Sequence, residues 1–431
     1  MTPPTIEPEM GSVAIPGESY FMRRGRRLSR SIITLLLPLA FGALAASKVG
    51  GQTTPPAAPV PPGIEIDTSY MTYDDGPFSL PLGIGFRVPS YNRVDGVVLP
   101  WGPLVSFADG RVELDPTVTY RSHLGALDPM VKGHFLIGRR SKIELTAGRS
   151  TFSNDRWIRS DLINSGAVLG VGSDARNYFR ADRATAELSH SFGAPGSAFE
   201  ASVGGLFENA WSTGPAVRAT GGAWSFFGRT DTLKMRRLNP AIARGHLTSA
   251  LGRLVYDYEK QDVKGTLDSR IEHAFDAPVY IASENPSGDF TQLTFGGKAS
   301  FPTFGTQRFA FRGHLVLTPG DIAPPQRFAY LGGAGTLATV DLLALGGDNL
   351  LYVEGEYSVP LKRPMLRFVG APTVSLRYAA GSAGTGDIPD LIQNIGVGIG
   401  IRLLKVEYHI DPSYSRTPFT RRSSFSIGVS L

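Results

Sequence analysis

The residue types that carry catalysis and metal binding are scattered through this sequence. It contains no cysteine, which excludes disulfides, thiolate zinc sites and cysteine nucleophiles. None of its 7 histidines shows H-x-x-x-H or H-E-x-x-H spacing, and there is no G-x-S-x-G elbow. We therefore predict no catalytic residue, no metal site, no cofactor and no enzymatic activity.

A hydrolase remains an alternative, because a folded chain can assemble Ser, His and Asp from distant segments, which spacing does not reveal. Charged residues also alternate along the sequence: Asp268, Arg270 and Glu272 form one set, and Glu354 and Glu356 form another. If these segments are strands of a closed barrel, each set either lines a translocation path or consists of paired charges that fill a polar interior.

The charge balance argues against a nucleic-acid partner. The chain has 43 basic and 38 acidic residues, a net charge of +5. Residues 1–63 hold six basic and three acidic residues, so the remainder carries only +2. No basic stripe with interleaved aromatic residues is present, and we predict no nucleic-acid binding.

Residues 1–46 form a predicted export signal. A basic segment, 23–30, precedes an apolar run from Ile32 to Ala46 that contains the small-residue pattern Ala-Leu-Ala. This run of about 15 residues is shorter than the roughly 20 that a membrane-spanning helix needs, so cleavage near Ala45 is favoured over an uncleaved anchor. Met22 is an alternative start, and the general export route is favoured over the twin-arginine route.

The remainder divides into a linker and a barrel. Residues 47–63 are rich in proline and are predicted to form an extended periplasmic linker. Residues 64–431 are predicted to form the outer-membrane β-barrel.

Alternation with a period of two supports this all-β prediction. In Val112–Arg121 the even positions are apolar, apart from Pro116, and the odd positions are polar or ionic. Val263–Phe275 shows an ionic even face, and Ile395–Leu403 alternates apolar residues with glycine, so that its inner face is almost bare. The last eight residues, Ser424–Leu431, form a strand that we expect to pair with the first strand.

Further predicted strands bring the total to about 16 in a transmembrane antiparallel β-barrel, with 12 or 14 as alternatives. They are Val94–Phe107, Met130–Ile137, Lys142–Arg149, Ala181–Phe192, Ala198–Glu208, His246–Glu259, Thr291–Phe301, Arg308–Leu317, Leu350–Leu361 and Leu366–Tyr378. A soluble β-sandwich or propeller is the rival. Three long connections, Phe152–Arg180, Asn209–Arg244 and Thr318–Asn349, are expected outside the cell or inside the lumen.

Glycine-rich segments in the C-terminal third resemble the BamA/TamA-type bacterial surface antigen barrels. They are Leu331-Gly332-Gly333, Gly346-Gly347-Asp348 and Gly355–Leu361, and the matched positions are Gly332, Gly333, Gly346, Gly347, Glu356 and Tyr357. Tyr91–Gly96 and Asp174–Arg180 give looser support.

The resemblance implies a 16-stranded barrel in the outer membrane of a Gram-negative bacterium. Relatives insert or translocate proteins or lipids, and their sixth extracellular loop enters the lumen with an Arg-Gly-Phe or Arg-Gly-Tyr motif. The matching positions here, Ala338–Val340, lack the arginine, which argues against an intact insertase while leaving the architecture in place. Transport-associated periplasmic domains are not expected.

These features lead to one functional hypothesis and two rivals. The first is a barrel with a role in protein or lipid insertion or translocation, whose partners are outer-membrane lipid and unfolded outer-membrane or exported proteins. The second is a passive diffusion porin or structural barrel, and the third is the barrel hydrolase. Whether the loop 318–349 plugs the lumen is left open.

Overall fold

The computed structural model describes most of the predicted barrel domain. The described residues are 78–194, 196–213, 224–227, 237–278, 288–361, 371–401, 404–413 and 417–429. The predicted export signal (1–46), the alternative start Met22, the linker (47–63) and the first residues of the barrel domain lie outside them and stay predictions.

Antiparallel strands account for most of the described residues. In chain order they are β1 Phe78–Ser79, β2 Ser90–Asn92, β3 Gly96–Trp101, β4 Leu104–Phe107, β5 Val112–Arg121, β6 Ala126–Ile137, β7 Ser141–Phe152, β8 Phe179–Ala194, β9 Ser197–Ser212, β10 Gly245–Lys260, β11 Val263–Ala274, β12 Phe290–Pro302, β13 Arg308–Leu317, β14 Ala329–Leu331, β15 Leu345–Gly347, β16 Asn349–Pro360, β17 Thr373–Gly384, β18 Ile392–Ile401, β19 Leu404–Ile410 and β20 Ser423–Val429.

Short helices occupy the connections. An α-helix, α1, covers Asp161–Val171, and 3-10 turns cover Pro81–Gly83, Asp155–Trp157 and Pro325–Arg327. No helix in the described part of the chain is long and apolar enough to cross a membrane.

Eighteen of the strands form one sheet in which chain neighbours pair antiparallel. β3 and β4 are two parts of one interrupted strand, because both pair with β5. β1 and β2, which pair with β4 and β3, likewise count as one strand. Counted in this way, the described residues contain sixteen wall strands, and the prediction of an all-β antiparallel barrel with about 16 strands is confirmed. β14 and β15 form a separate hairpin. Pairing of the last strand with the first stays a prediction.

The predicted two-residue alternation is confirmed in the wall. On β11, Leu267 and Ile271 are 46% and 44% exposed, whereas Glu272 is buried. On β5, Val118 and Tyr120 are exposed and Arg121 is buried. Since the outer surface of a membrane barrel meets lipid, the exposed apolar face is the outer one and the charged face lines the lumen.

The inner face of β18 is bare for a steric reason. Its outer residues Val397 and Ile399 are more than half exposed, and its glycines face inward beneath side chains of β19. A Cβ on Gly396 would lie 2.4 Å from Nδ1 of His409. Glycine at this position therefore makes room for the histidine ring.

The connections differ in length at the two ends of the barrel. Short turns such as 138–140 and 261–262 lie at one end, and the long connections 153–178, 213–244 and 318–348 lie at the other, as the sequence predicts. In outer-membrane barrels the short turns are periplasmic and the long loops extracellular. β20 runs towards the short-turn end and therefore towards the periplasm.

Two local features add to the predictions. The predicted strand Leu366–Tyr378 starts outside the described residues, and its part from Thr373 onwards belongs to β17, which continues to Gly384. The helix α1, inside the first long connection, was not predicted. Ser160 caps its N-terminus by accepting a hydrogen bond from the Ile163 N–H, and Gly172 ends it in the left-handed conformation.

Candidate functional site: a loop held inside the lumen

The connection 318–348, here called the plug loop, packs against the inner wall. Its residues Leu331, Leu337 and Val340 are buried in one hydrophobic cluster with Leu350 and Tyr352 of β16, and residues of β13, β17 and β18 join that cluster. The question that the sequence left open is thereby answered, because the loop enters the lumen. This cluster joins the loop to the wall.

An arginine on the plug loop holds its N-terminal half. Arg327 lies 2.9 Å from Glu208 of β9 and 3.0 Å from Glu272 of β11, and all three side chains are buried. Burial lowers the pKa of Arg327, but the two carboxylates outweigh this effect and leave the pKa above its ordinary value. We call these three residues the stem clamp.

Arginines of the wall hold the tip of the plug loop, which consists of Gly335 and Thr336. Arg377 of β17 donates to the Thr336 carbonyl at 2.9 Å, and Arg312 of β13 donates to the Gly335 carbonyl. Both guanidinium groups also bind Glu354 of β16, at 2.7 Å from Arg312 and 2.6 Å from Arg377. We call Arg312, Arg377 and Glu354 the tip clamp.

The charge pattern differs from the one implied by the resemblance. Ala338–Val340 carries no arginine, as the sequence shows, and at the tip the cations belong to the wall instead of the loop. An arginine of the loop does meet acidic groups of the wall, but it is Arg327, nearer the loop's start. The plug loop thus has an arginine anchor at a position other than the one that the resemblance implies. Glu272 and Glu354 were recognised in sequence only as inward charges.

The family-matched positions divide between the plug loop and the wall. A Cβ on Gly332 would lie 2.1 Å from the Asp341 carbonyl oxygen, and one on Gly346 would lie 2.2 Å from the Tyr330 ring, so both glycines make close contacts within the loop. The neighbouring Gly333 and Gly347 belong to the same hairpin region.

The two remaining matched positions lie on β16, outside both clamps. Glu356 binds Lys405 of β19 at 2.6 Å, in the direction of the periplasmic end. The Tyr357 hydroxyl donates to the side chain of Gln307 in the turn before β13. The structure therefore brings the four glycines together in the loop but leaves Glu356 and Tyr357 apart from them.

The start of the first long connection lies along the plug loop. Asn154 donates to the Gln326 carbonyl at 2.7 Å, and Arg159 donates to the Ala334 carbonyl at 2.6 Å. Between them, Asp155 accepts from the Tyr330 N–H at 3.2 Å. Trp157 stacks on His314 of the wall with 4.2 Å between ring centroids. The plug loop is thus enclosed between the wall and residues 154–159.

Asp155 is the buried centre of this contact. It accepts backbone hydrogen bonds from Asn177 and Tyr330 and lies near Arg237 and Arg176. Burial nevertheless raises the pKa of its carboxyl to about 7. The joint between the two loops therefore contains a carboxyl group that titrates near neutral pH.

The two segments that gave looser family support meet at the extracellular end. Asp174 accepts hydrogen bonds from the Arg93 N–H at 3.0 Å, from Asn164 of α1 at 2.9 Å and from the Tyr178 hydroxyl at 2.9 Å. All are buried, and burial raises the pKa of Tyr178 well above its ordinary value. This network ties the turn after β2 to α1.

A cavity of about 2380 Å³ extends from the plug loop to the periplasmic ends of the wall strands. Charged residues of several strands line it, among them Lys264, Lys298, Glu356, Lys405 and Glu407. Within the described residues, no group of three or more His, Asp or Glu side chains converges as metal ligands would.

One Ser–His contact in this cavity bears on the hydrolase alternative. His409 Nε2 lies 3.2 Å from the Ser426 hydroxyl, and Glu407 lies 3.6 Å from the same nitrogen. A catalytic triad needs the carboxylate at the opposite nitrogen, where it orients the ring. Here Nδ1 faces Gly396 instead. This arrangement lacks the geometry of a catalytic triad.

Comparison with solved structures places the fold. No protein-family model and no curated protein sequence matches the chain. The barrel is similar to BamA from Haemophilus ducreyi lacking POTRA domains 1–3, with a TM-score of 0.50 and 9% identity over 79% of this chain and 69% of that chain.

Two CdiB chains also match, at 12% identity and lower TM-scores. The one from Acinetobacter baumannii has a TM-score of 0.41 over 80% of this chain and 58% of that chain, and the one from Escherichia coli 0.45 over 79% and 60%. This chain thus spans about three fifths of each CdiB chain, and the fold assignment depends on BamA.

The protein has the fold of an outer-membrane β-barrel, and within that class the BamA type. The predicted resemblance to BamA/TamA-type barrels is confirmed at the level of the fold, and the predicted location in the bacterial outer membrane agrees with that fold.

Proposed function

We propose that this protein inserts or translocates polypeptide or lipid cargo in the outer membrane, with the plug loop as its movable part. One observation carries the proposal: inside a BamA-type barrel, a loop fills part of the lumen and is held there by two ionic clamps. Outer-membrane lipid would contact the apolar outer face, and unfolded outer-membrane or exported proteins are the proposed cargo.

The tip is the end of the loop that can leave the wall. It contributes only carbonyl oxygens to the tip clamp, so Glu354 keeps both of its arginines when the tip departs. No buried charge loses its partner, and water can replace the lost hydrogen bonds.

The N-terminal half of the plug loop, which the stem clamp holds, is the fixed end. Among the described residues, removal of Arg327 would leave Glu272 with Arg270, 3.8 Å away, as its one cationic partner. An unpaired charge in a buried place is costly, which opposes movement there. The charges therefore support a loop that swings at its tip about an anchored stem.

A passive diffusion porin is the second candidate, and the large cavity with its charged lining favours it. The plug loop opposes it, because the loop and residues 154–159 lie across the extracellular half of the lumen. Stable open conductance steps of the wild-type protein in planar bilayers would support the porin and contradict a plugged lumen.

The proposed function is tested with liposomes that contain the purified protein. A urea-denatured outer-membrane barrel protein serves as cargo, and its protease-protected fraction is measured. Liposomes with the wild-type protein should raise this fraction above that in empty liposomes, and Arg327→Met should lower the gain. Arg149→Ala, which removes a half-exposed ion pair with Asp182, is the matched control and should behave as wild type. A protected fraction equal to that of empty liposomes contradicts insertion of this cargo.

A further inference from the structure

The plug loop also contacts the segment 417–421, which leads into the last strand β20. Val340 and Thr420 form an antiparallel bridge. On either side of it, the Asp341 N–H donates to the Phe419 carbonyl at 2.9 Å, and the Arg421 N–H donates to the Thr339 carbonyl at 2.8 Å. The loop and the lead-in segment thus share backbone hydrogen bonds of the kind that pair two strands.

Thr339 is the residue where this contact meets the wall. Its N–H donates to the Asn394 side-chain oxygen at 3.0 Å, and Asn394 of β18 donates back to the Thr339 hydroxyl at 2.6 Å. Both residues are buried. Since the carbonyl of Thr339 accepts from Arg421, one residue binds both the wall and the lead-in to β20.

Only a short stretch of chain separates this junction from the tip clamp. Thr336, whose carbonyl binds Arg377, ends a turn closed by a hydrogen bond from its N–H to the Gly333 carbonyl, and the next turn is closed from the Val340 N–H to the Leu337 carbonyl. The Gly333 N–H donates to the carbonyls of Leu337 and Val340 and joins the two turns, so that they move as a unit. A displacement of the tip therefore pulls on residues 339–341.

The last strand begins directly after the segment that the plug loop contacts. Within the described residues, β20 pairs with β19 from Ser423 opposite Ile410 onwards. A displacement of 417–421 therefore acts on the first pairs of this ladder.

We propose that the plug loop couples the state of the lumen to the last wall strand: when the tip leaves the tip clamp, the contact with 417–421 loosens β20. The role of this coupling in cargo passage rests on the proposed function. The coupling itself does not, and it is measured below without any cargo, so the two can fail separately.

Hydrogen exchange of the folded protein in lipid vesicles tests the coupling. Arg377→Gln removes the donor to the Thr336 carbonyl and leaves the pair between Arg312 and Glu354 in place. We expect exchange about tenfold faster at both 331–341 and 423–429, with β6 unchanged as the internal reference. Faster exchange at 331–341 alone overturns the proposal.

Two cross-linked proteins test the coupling if Arg377→Gln fails to fold or leaves hydrogen exchange unchanged at both 331–341 and 423–429. The chain has no native cysteine, and bridged positions lie at a distance that a disulfide spans. Oxidised Val340→Cys/Thr420→Cys should slow exchange at both 331–341 and 423–429. Leu331→Cys/Leu345→Cys, which joins β14 to β15, is the matched control and should slow exchange only in the loop. Equal exchange at 423–429 in both cross-linked proteins overturns the proposal.

Discussion

Asp155 makes the joint between the plug loop and residues 154–159 dependent on pH. Its folded pKa of about 7 lies above the ordinary value of 3.8. Between these values the closed joint retains a proton that the opened joint releases, so the stability of the joint falls as pH rises through this window. Arg176 and Arg237 face the carboxyl and already limit the shift.

We therefore expect Trp157 to be better shielded at pH 5 than at pH 8. Acrylamide quenching of Trp157 fluorescence, with the other three tryptophans replaced by phenylalanine, measures this shielding. Asp155→Asn carries no titrating group and should give the same quenching at both pH values. Equal quenching of the protein with Asp155 at pH 5 and pH 8 would contradict the expected titration.

At the scale of elements, β18 shows why strand glycines are not interchangeable. A Cβ on Gly396 would lie 2.4 Å from the His409 ring, whereas the nearest atoms to a Cβ on Gly400 are 3.9 Å away. We expect Gly396→Ala to destabilise the barrel by about 1–3 kcal/mol, the usual cost of overpacking. Gly400→Ala, on the same strand and face, should change stability little. The urea midpoint of unfolding in lipid vesicles measures both, and equal midpoints would contradict the steric argument.

Strand elements were predictable because their pattern is local. The outer face of β11 and the alternation of β5 follow from residues two positions apart, and the structure has the same faces. The break at Gly102–Pro103 between β3 and β4 and the helix α1 were missed.

The two clamps could not be read from sequence. Arg327 meets Glu208 and Glu272, which are 119 and 55 residues away, and the inward phase of a strand does not say which charge lies opposite. At the tip the cations belong to the wall, and Arg312 and Arg377 bind carbonyl oxygens of the loop. This arrangement has no sequence signature either, because every residue has a carbonyl. Only the junction of 91–96 with 174–180 had a sequence signal, as two motifs noted separately.

At the scale of the whole molecule, the wall and the plug loop are held by different forces. The wall is a continuous series of backbone ladders, of which β8–β9 and β9–β10 are the longest. In a membrane these ladders are obligatory, since unpaired backbone groups would face hydrocarbon. The plug loop is held by side-chain charges, a small apolar cluster and a few hydrogen bonds around Thr339.

The wall should therefore form without an anchored plug. We expect the unboiled wild-type protein from outer-membrane fractions to migrate differently from the boiled protein on a gel, because the folded ladders resist detergent at room temperature. Arg327→Met leaves Glu208 with Arg183 and breaks no ladder, so it should keep this mobility shift while the plug loop becomes more accessible to added protease. Loss of the mobility shift in Arg327→Met would mean that the wall depends on the plug loop. Recovery of the wild-type protein in the soluble periplasmic fraction, without a mobility shift, would contradict the membrane barrel itself.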